Sequence, residues 1–432
     1  MKILLISANT EAINMPVLPL GLAFVNAALQ NSGFETRMLN LLGEVDAKAT
    51  IEAAIREFGP DAIGISVRNI DTQDIKNPGF MLDPVKSMVA WCRECSGAPV
   101  ILGGAGYSIY PQAVLDYTNA DMGIKGEGES AFPMLLRQLE AMGPDPKDFS
   151  RLDVPGLCLP GTGVVRQRQC IRNTADIIFP VPGRHFTIPD SVKKDDLWVP
   201  FQTRRGCPMD CSYCSTVSIE GRLIRKLPPD KAMMALAVHA EAGFRQFFFV
   251  DNTFNLPPAY ASDLCDRIIA AKINIRWRCI IYPSKISREL VAKMARAGCR
   301  EVSLGFESGS DAMLQHFNKR FTTADVRKTS GLLAEYGIQQ LGFLMLGGPG
   351  ETKETVLESL AFADSLHPDA LKVTAGIRIY PDTRLSETAR NEGVIDPNDT
   401  LLKPSFYIRK ELQDWLMQTI PAWVKDRPGW FF

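Results

Sequence analysis

A chain of 432 residues, 46% of them hydrophobic, is long enough for two or three domains with sizeable buried cores. Its formal net charge of −1 leaves no basic footprint for nucleic acid. No run of eighteen apolar residues occurs, so no transmembrane segment is expected. The opening Met1-Lys2-Ile3-Leu4-Leu5-Ile6 is too short for a signal peptide and reads as a strand. Ten cysteines are scattered without the spacing of a secreted disulfide framework, which suits a reducing cytoplasm.

Residues 1–141 alternate strand and helix signals. The apolar runs Lys2–Ala8, Thr36–Leu41, Asp61–Val67, Pro99–Gly104 and Met122–Lys125 read as five buried strands. Helical patterns lie near 18–31, 47–58, 83–95, 111–118 and 129–141. Continuous apolar strands divided by helices predict an α/β, doubly wound, Rossmann-like parallel sheet, with its ligand beyond the strands' carboxyl ends. Gly103-Gly104-Ala105-Gly106 and Gly126-Glu127-Gly128-Glu129-Ser130 end two of these strands and let backbone approach a bulky ligand. A Gly-x-Gly-x-x-Gly after the first strand and a phosphate-binding lysine motif are both missing, which argues against NAD or ATP. Cys92 and Cys95 form a Cys-x2-Cys pair in a helical pattern with no partner pair, and read as packing residues.

Residues 142–198 are dense in proline and glycine and read as a connector, with a small hairpin over Val154–Arg166. A lone histidine there, His185, reads as a surface or hydrogen-bonded residue. Six strand-then-helix units follow over 199–393. Strands are expected near 199–204, 246–251, 275–281, 301–306, 340–346 and 371–379. The helices fall near 229–242, 257–272, 286–297, 322–337, 351–366 and 384–393. This predicts a partial (β/α)6, TIM-like barrel with function at the strands' C-terminal ends. Asp251-Asn252-Thr253, Glu307-Ser308-Gly309, Gly347–Glu351 and Tyr380-Pro381 stand at those ends. The extension over 394–432 carries Trp415, Trp423, Trp430, Phe431 and Phe432, aromatics expected to pack across a barrel face.

The chemistry concentrates in Arg205-Gly206-Cys207-Pro208-Met209-Asp210-Cys211-Ser212-Tyr213-Cys214, directly after the first barrel strand. Its Cys-x3-Cys-x2-Cys spacing lets three thiolates converge on one soft metal centre. A structural zinc site wants four ligands, and no fourth cysteine or histidine lies at a finger-like distance. A [4Fe–4S] cluster on three cysteines keeps one iron open for a reacting ligand.

With an aromatic at Tyr213, this loop resembles that of the radical S-adenosylmethionine (SAM) enzymes, whose open iron binds the amino and carboxylate groups of SAM. The resemblance implies that Cys207, Cys211 and Cys214 hold the cluster. It also implies SAM contacts at several strand ends. Asp251-Asn252 stand where backbone carbonyls accept from the SAM ammonium, and Glu307 and Ser308 match the fourth-strand motif at its ribose or amino-acid end. Arg320, in Asn318-Lys319-Arg320, is the expected partner of the SAM carboxylate, since a guanidinium fork suits a carboxylate. Leu346-Gly347-Gly348 match the fifth-strand element beside the adenine.

The first half resembles the cobalamin-binding domain that precedes the radical SAM domain in one large branch of that superfamily. Pro19-Leu20-Gly21-Leu22, Pro60–Ser66, Val100–Gly104 and Gly126–Glu129 occur in the expected order. The implied cobalamin contacts are Asn9, Leu20, Arg68, Asn69, Gly103, Gly104, Gly126, Glu127 and Gly128. Domains that ligate cobalt carry Asp-x-His-x-x-Gly; here the loop reads Asn9-Thr10-Glu11-Ala12-Ile13-Asn14, and 1–141 hold no histidine. Base-off cobalamin without a histidine ligand is therefore expected. Arg68-Asn69 stand where related enzymes place a residue beneath the corrin; alternatively Arg68 caps a strand end or pairs with Asp71 or Asp74.

The resemblance implies an enzyme with a [4Fe–4S] cluster, SAM and cobalamin. A 5′-deoxyadenosyl radical would take hydrogen from an unactivated carbon, and methylcobalamin would give that carbon a methyl group. A small-molecule or lipid substrate, an external electron donor such as flavodoxin or ferredoxin, and a monomer or homodimer go with this reading. Ring closure, ring contraction or rearrangement is the alternative within the same architecture. From other classes come a cluster- and cobalamin-bearing electron-transfer or sensor protein and a zinc-stabilised binding protein. Glu307 and the Gly347–Glu351 loop count against a sensor, which needs no SAM pocket.

Overall fold

The computed structural model describes residues 1–10, 16–143, 149–164, 171, 173–188 and 192–432. Most of the loop Asn9–Asn14, the end of the predicted hairpin and Cys170 lie outside the described residues. The first sheet pairs β1 (Lys2–Ser7), β2 (Glu35–Asn40), β3 (Ala62–Ser66), β4 (Val100–Gly103) and β5 (Met122–Ile124) in parallel, in the order β2-β1-β3-β4-β5. Alternation within β1 explains its place between two helix layers. Ile3 and Leu5 pack with Leu22, Leu29, Leu135 and Leu136 of helices Leu20–Asn31 and Gly128–Met142. Leu4 and Ile6 point to the other face, into Ile51, Ile55, Val85, Met88 and Val114 of helices Ala47–Phe58, Leu82–Cys95 and Pro111–Thr118. Cys92 is fully buried in that layer, which pushes its thiol up to about 12, in keeping with a packing role.

The connector's hairpin is not freestanding. Its strands β6 (Leu157–Leu159) and β7 (Gly163–Val164) continue the first sheet, β6 running antiparallel to β5. His185 is buried, its Nδ1 accepting from the Val181 amide at 2.7 Å, and burial lowers its pKa to about 4. It is a structural residue.

The second sheet begins with β8 (Val199–Phe201). An antiparallel ribbon, β9 (Arg204–Arg205) with β10 (Arg225–Lys226), brackets the cysteine loop. The sheet continues through β11 (Gln246–Phe249), β12 (Arg276–Ile281), β13 (Cys299–Glu307), β14 (Gln339–Leu346) and β15 (Ala370–Ala375), all parallel in that order. Helices Pro229–Glu241, Pro258–Ala270, Arg288–Arg296, Thr323–Glu335 and Lys353–Leu366 alternate with these strands. Reciprocal capping boxes at Thr322/Asp325 and Thr352/Thr355 set the starts of the last two.

The predicted sixth strand is shorter than the apolar run. It stops at Ala375, where Gly376 takes φ +80°. β16 (Ile377–Arg378) then pairs antiparallel with β17 (Phe406–Tyr407). The extension does more than pack: β18 (Trp430–Phe431) adds a seventh parallel strand beside β15. Leu412, Leu416 and Ile420 of helix Lys410–Val424 enter the barrel core. Two short helices, Thr216–Glu220 and Asp311–His316, lack the periodicity that would reveal them in sequence. No described helix is long and apolar enough to cross a membrane.

Candidate active site

The cysteine loop is held by backbone geometry. Gly206 has φ +87°, and a Cβ there would stand 2.1 Å from the Leu223 carbonyl oxygen, so only glycine fits between β9 and β10. The Glu220 carboxylate accepts from the Gly206 amide at 2.9 Å, from Gln202 Nε2 at 2.9 Å and from Asn252 Nδ2 at 2.6 Å. The Cys207 amide donates to Gly221 O at 3.0 Å and the Ser212 amide to Phe317 O at 3.1 Å, while Asn318 Nδ2 donates to Asp210 O at 2.6 Å.

Burial pushes the Cys207 thiol up to about 11, aided by Cys214 and Cys211 nearby; burial likewise raises Cys211, against the pull of Lys319. Thiols that would repel one another as thiolates, in a loop poor in water, are a donor set that a cationic cluster stabilises. Among the described residues no three His, Cys, Asp or Glu side chains are gathered tightly enough for a single metal ion. Cluster ligands each take a different iron and stand farther apart. Three soft thiols on one short loop are the donor set a cluster with one open iron takes.

β13 ends at Glu307, which takes the left-handed φ +64° next to a register shift between Gly305 and Glu307 against β14. A non-glycine residue held so is strained by about 1–3 kcal/mol. Its carboxylate meets Lys319 Nζ at 3.3 Å, and Lys319 also donates to Tyr213 Oη at 2.8 Å. Arg320, the expected partner of the SAM carboxylate, has an exposed side chain, and its amide donates to Tyr282 Oη at 2.8 Å. Asn318, at φ +55°, turns the chain so that Lys319 faces inward. Spacing alone does not separate two adjacent cations.

Other expected site residues are engaged within the protein. Asp251 is wholly buried; it accepts from the Thr203 amide at 2.7 Å, Thr203 Oγ1 at 2.6 Å and the Arg204 amide at 2.9 Å, and pairs with Arg204 Nε at 3.2 Å. What it offers a ligand is backbone. Ser308 meets Ser359 Oγ at 2.9 Å and so secures the turn after β13 from behind. Leu346 is core. Gly347 has φ +91°, and its amide and that of Gly348 both donate to the Glu351 carboxylate. Burial pushes Glu351 up to about 7, against those two donors, and its Oε1 has no partner.

The carboxyl ends of both sheets open onto one cavity of about 360 Å³. Asn9, Leu20, Arg68, Gly103, Gly104, Gly126, Glu127 and Gly128 line it from the first domain, and Pro200, Gln202, Arg205, Glu220 and Val250 from the second. Asn69 stands just outside the lining. Gly104 has φ +102° and a Cβ on it would meet Val67 O at 2.5 Å, which brings bare backbone to the wall. That cradle, apolar from Val17 to Leu22, fits a large planar cofactor. None of the four histidines is among the lining residues. Arg68 lines the cavity with its side chain still exposed to solvent and shows no hydrogen bond or ion pair among the described residues; partial desolvation at the wall lowers its pKa. The alternative pairing with Asp71 does not form, because Asp71 is held by Arg378 Nε at 2.9 Å; Asp74 instead accepts from the Lys76 amide.

Glu127 is likewise bound within the protein. Arg225 Nη1 contacts both of its oxygens, at 2.6 and 2.7 Å, and Arg205 Nη1 lies 3.3 Å away. Sequence gave no sign of these cross-domain arginines, which act over 98 and 78 residues of chain.

A family model described as the B12 binding domain matches residues 6–136, and one described as the Radical SAM superfamily matches 202–363. The two together span more than half of the chain. An uncharacterized methyltransferase of Pyrococcus horikoshii is 29% identical over 405 residues, covering 90% of this chain and 83% of its own. The tryptophan 2-C-methyltransferase of Streptomyces laurentii is 23% identical, covering 88% of this chain and 73% of its own. Among solved structures, the radical SAM methyltransferase TsrM from Kitasatospora setae, with tryptophan and a SAM analog bound, superposes with a TM-score of 0.85. It is 22% identical, with 99% of this chain and 89% of that one covered. With a B12-binding domain leading a radical SAM domain across a shared cavity, the chain belongs to the cobalamin-dependent radical SAM enzymes.

Proposed function

We propose that this enzyme is a methyltransferase that places a methyl group on an unactivated carbon of a small-molecule or lipid substrate. The supporting observation is the shared cavity, where the first sheet's glycine-lined edge faces the base of the cysteine loop. Bound there, the cluster with SAM supplies a carbon radical and cobalamin supplies the methyl group. The chain's own residues bind and orient. Cys207, Cys211 and Cys214 hold the cluster; the Asp251-Asn252 backbone, Tyr213, Glu307 and the Leu346-Gly347 turn face SAM. Gly103, Gly104, Gly126 and Gly128, with Asn9 and Leu20, receive cobalamin.

With no histidine among the lining residues, the cavity would hold cobalamin base-off without a protein imidazole on cobalt, and Arg68 would lie beneath the corrin. Its charge has no partner among the described residues, which supports that placement over a strand cap. A guanidinium has no lone pair to donate, so Arg68 shields the lower face without ligating it. The relatives' named substrate, tryptophan, is a small molecule, in keeping with a small-molecule acceptor here. A flavodoxin or ferredoxin supplies the electron.

The test is anaerobic incubation of the iron- and cobalamin-replete protein with methyl-labelled SAM and candidate metabolites, read by mass spectrometry. Labelled methyl in a product together with 5′-deoxyadenosine is expected. SAM cleavage that leaves every candidate unmethylated but dehydrogenated, cyclised or rearranged would overturn the methyl-transfer reading.

A further inference from the structure

The ammonium of Lys319 donates to Tyr213 Oη at 2.8 Å and to Glu307 Oε1 at 3.3 Å, and its charge pulls down the pKa of the nearby Cys211 thiol. The side chain is only 6% exposed, and its Nζ lies 5.1 Å from the centre of the Tyr213 ring. Its position is built rather than adventitious. The Lys319 amide donates to Leu314 O at 2.8 Å, Asn318 grips the Asp210 carbonyl and the Phe317 carbonyl receives the Ser212 amide. The segment carrying the lysine is thus tied at two points to the loop carrying the cysteines. Such a cation is too well bound to serve as a mobile proton donor.

We propose that Lys319 sets the reduction potential of the cluster; the proposal rests on the reading of Cys207, Cys211 and Cys214 as its ligands. Reduction adds one electron, supplied by an external donor, to the cluster and its thiolates, with no bond broken. A buried cation held against the cysteine loop through Tyr213 stabilises that added negative charge and raises the potential, since local charge is one of the terms that tune such clusters. Glu307, 3.3 Å from the same ammonium, partly cancels it. The pair therefore acts in opposite directions on one couple.

The experiment is an anaerobic spectroelectrochemical titration of the iron-replete, SAM-free full chain. In Lys319→Gln, which keeps a donor but loses the charge, the reduced-to-oxidised ratio at fixed poise should fall about tenfold or more; tenfold is about 59 mV for one electron. Lys319→Arg should restore most of it, and Glu307→Gln should move the midpoint upward. General loosening of the loop would not give opposite signs. Coincident midpoints for wild type and Lys319→Gln would overturn the proposal; should that variant shed its iron, an unmoved midpoint in Glu307→Gln would do the same. Iron analysis of the wild type tests the cysteine reading separately: a chain that takes up no cluster removes that reading itself.

Discussion

Arg205 and Glu129 form a buried ion pair, Nη2 to Oε1 at 2.5 Å, that joins the residue leading into the cysteine loop to the first helical turn after β5. Burial alone would lower the arginine's pKa, but Glu129 and Glu127 outweigh it and hold it above the usual range. The guanidinium also lies over the Phe24 ring, 5.0 Å from its centre. Removing one partner of a buried pair leaves the other charge uncompensated and costs about 3–5 kcal/mol. Arg205→Met should therefore lower stability by roughly that amount in denaturant unfolding, and cobalamin retention should fall with it. Full cofactor retention and unchanged stability would show the pair to be incidental.

Cys207→Ala, Cys211→Ala and Cys214→Ala should each abolish bound iron and 5′-deoxyadenosine formation, because three thiolates are the minimum for a cluster with one open iron. Cys92→Ala, in the helix layer of the first domain, should keep both. Iron and sulfide analysis after anaerobic reconstitution decides it.

Glu307→Ala should weaken SAM binding about tenfold or more while the cluster stays in place, since a hydrogen bond to a charged group contributes roughly 1.5–3 kcal/mol. Equilibrium binding to the reconstituted enzyme is the measurement. A dissociation constant equal to the wild type's would remove Glu307 from the SAM site.

Glu351 gives a pH signature. Its folded pKa, about 7, lies above the ordinary 4.5 because burial disfavours the charged form. The folded state then holds a proton that the unfolded state releases. This contribution is fully present below about pH 4.5 and is lost as pH rises through about 7. Across that window it amounts to at most roughly 3 kcal/mol. Glu351→Gln keeps an acceptor for the Gly347 and Gly348 amides and cannot ionise. Its stability should fall less than the wild type's between those limits, and parallel urea-unfolding profiles would refute the assignment.

Base-off cobalamin without an axial imidazole predicts a Co(II) electron paramagnetic resonance signal lacking nitrogen superhyperfine splitting. Arg68→Ala should alter that signal. Splitting from an imidazole or base would refute the reading, and a spectrum indifferent to Arg68→Ala would return Arg68 to the strand-cap reading.

The strands of both sheets were legible because buried parallel strands are continuous apolar runs. β1 to β5 fall within the stretches 2–8, 36–41, 61–67, 99–104 and 122–125 to about one residue. The two-residue strands β10, β17 and β18 escaped because pairing, rather than propensity, makes them: Trp430–Phe431 is a strand only where β15 offers it an edge. Side-chain partners remote in sequence were not legible: the Ser308 hydroxyl meets Ser359, 51 residues on, and one turn residue decides that Lys319 rather than Arg320 faces Glu307. Glu127 was legible as a residue at the carboxyl edge of the first sheet, where it lines the cavity, but not as the clasp of Arg225.

The Asp71–Arg378 pair, both members nearly inaccessible to water, spans 307 positions of sequence. During synthesis the first domain emerges hundreds of residues before its partner arginine exists. Until then Asp71 can only be solvated, and its segment has no barrel to rest on. The closing of this distant contact is therefore a late event, reached after the sixth barrel strand has been made. A truncated or stalled chain would show an acidic, hydrated surface where the finished enzyme has an interior.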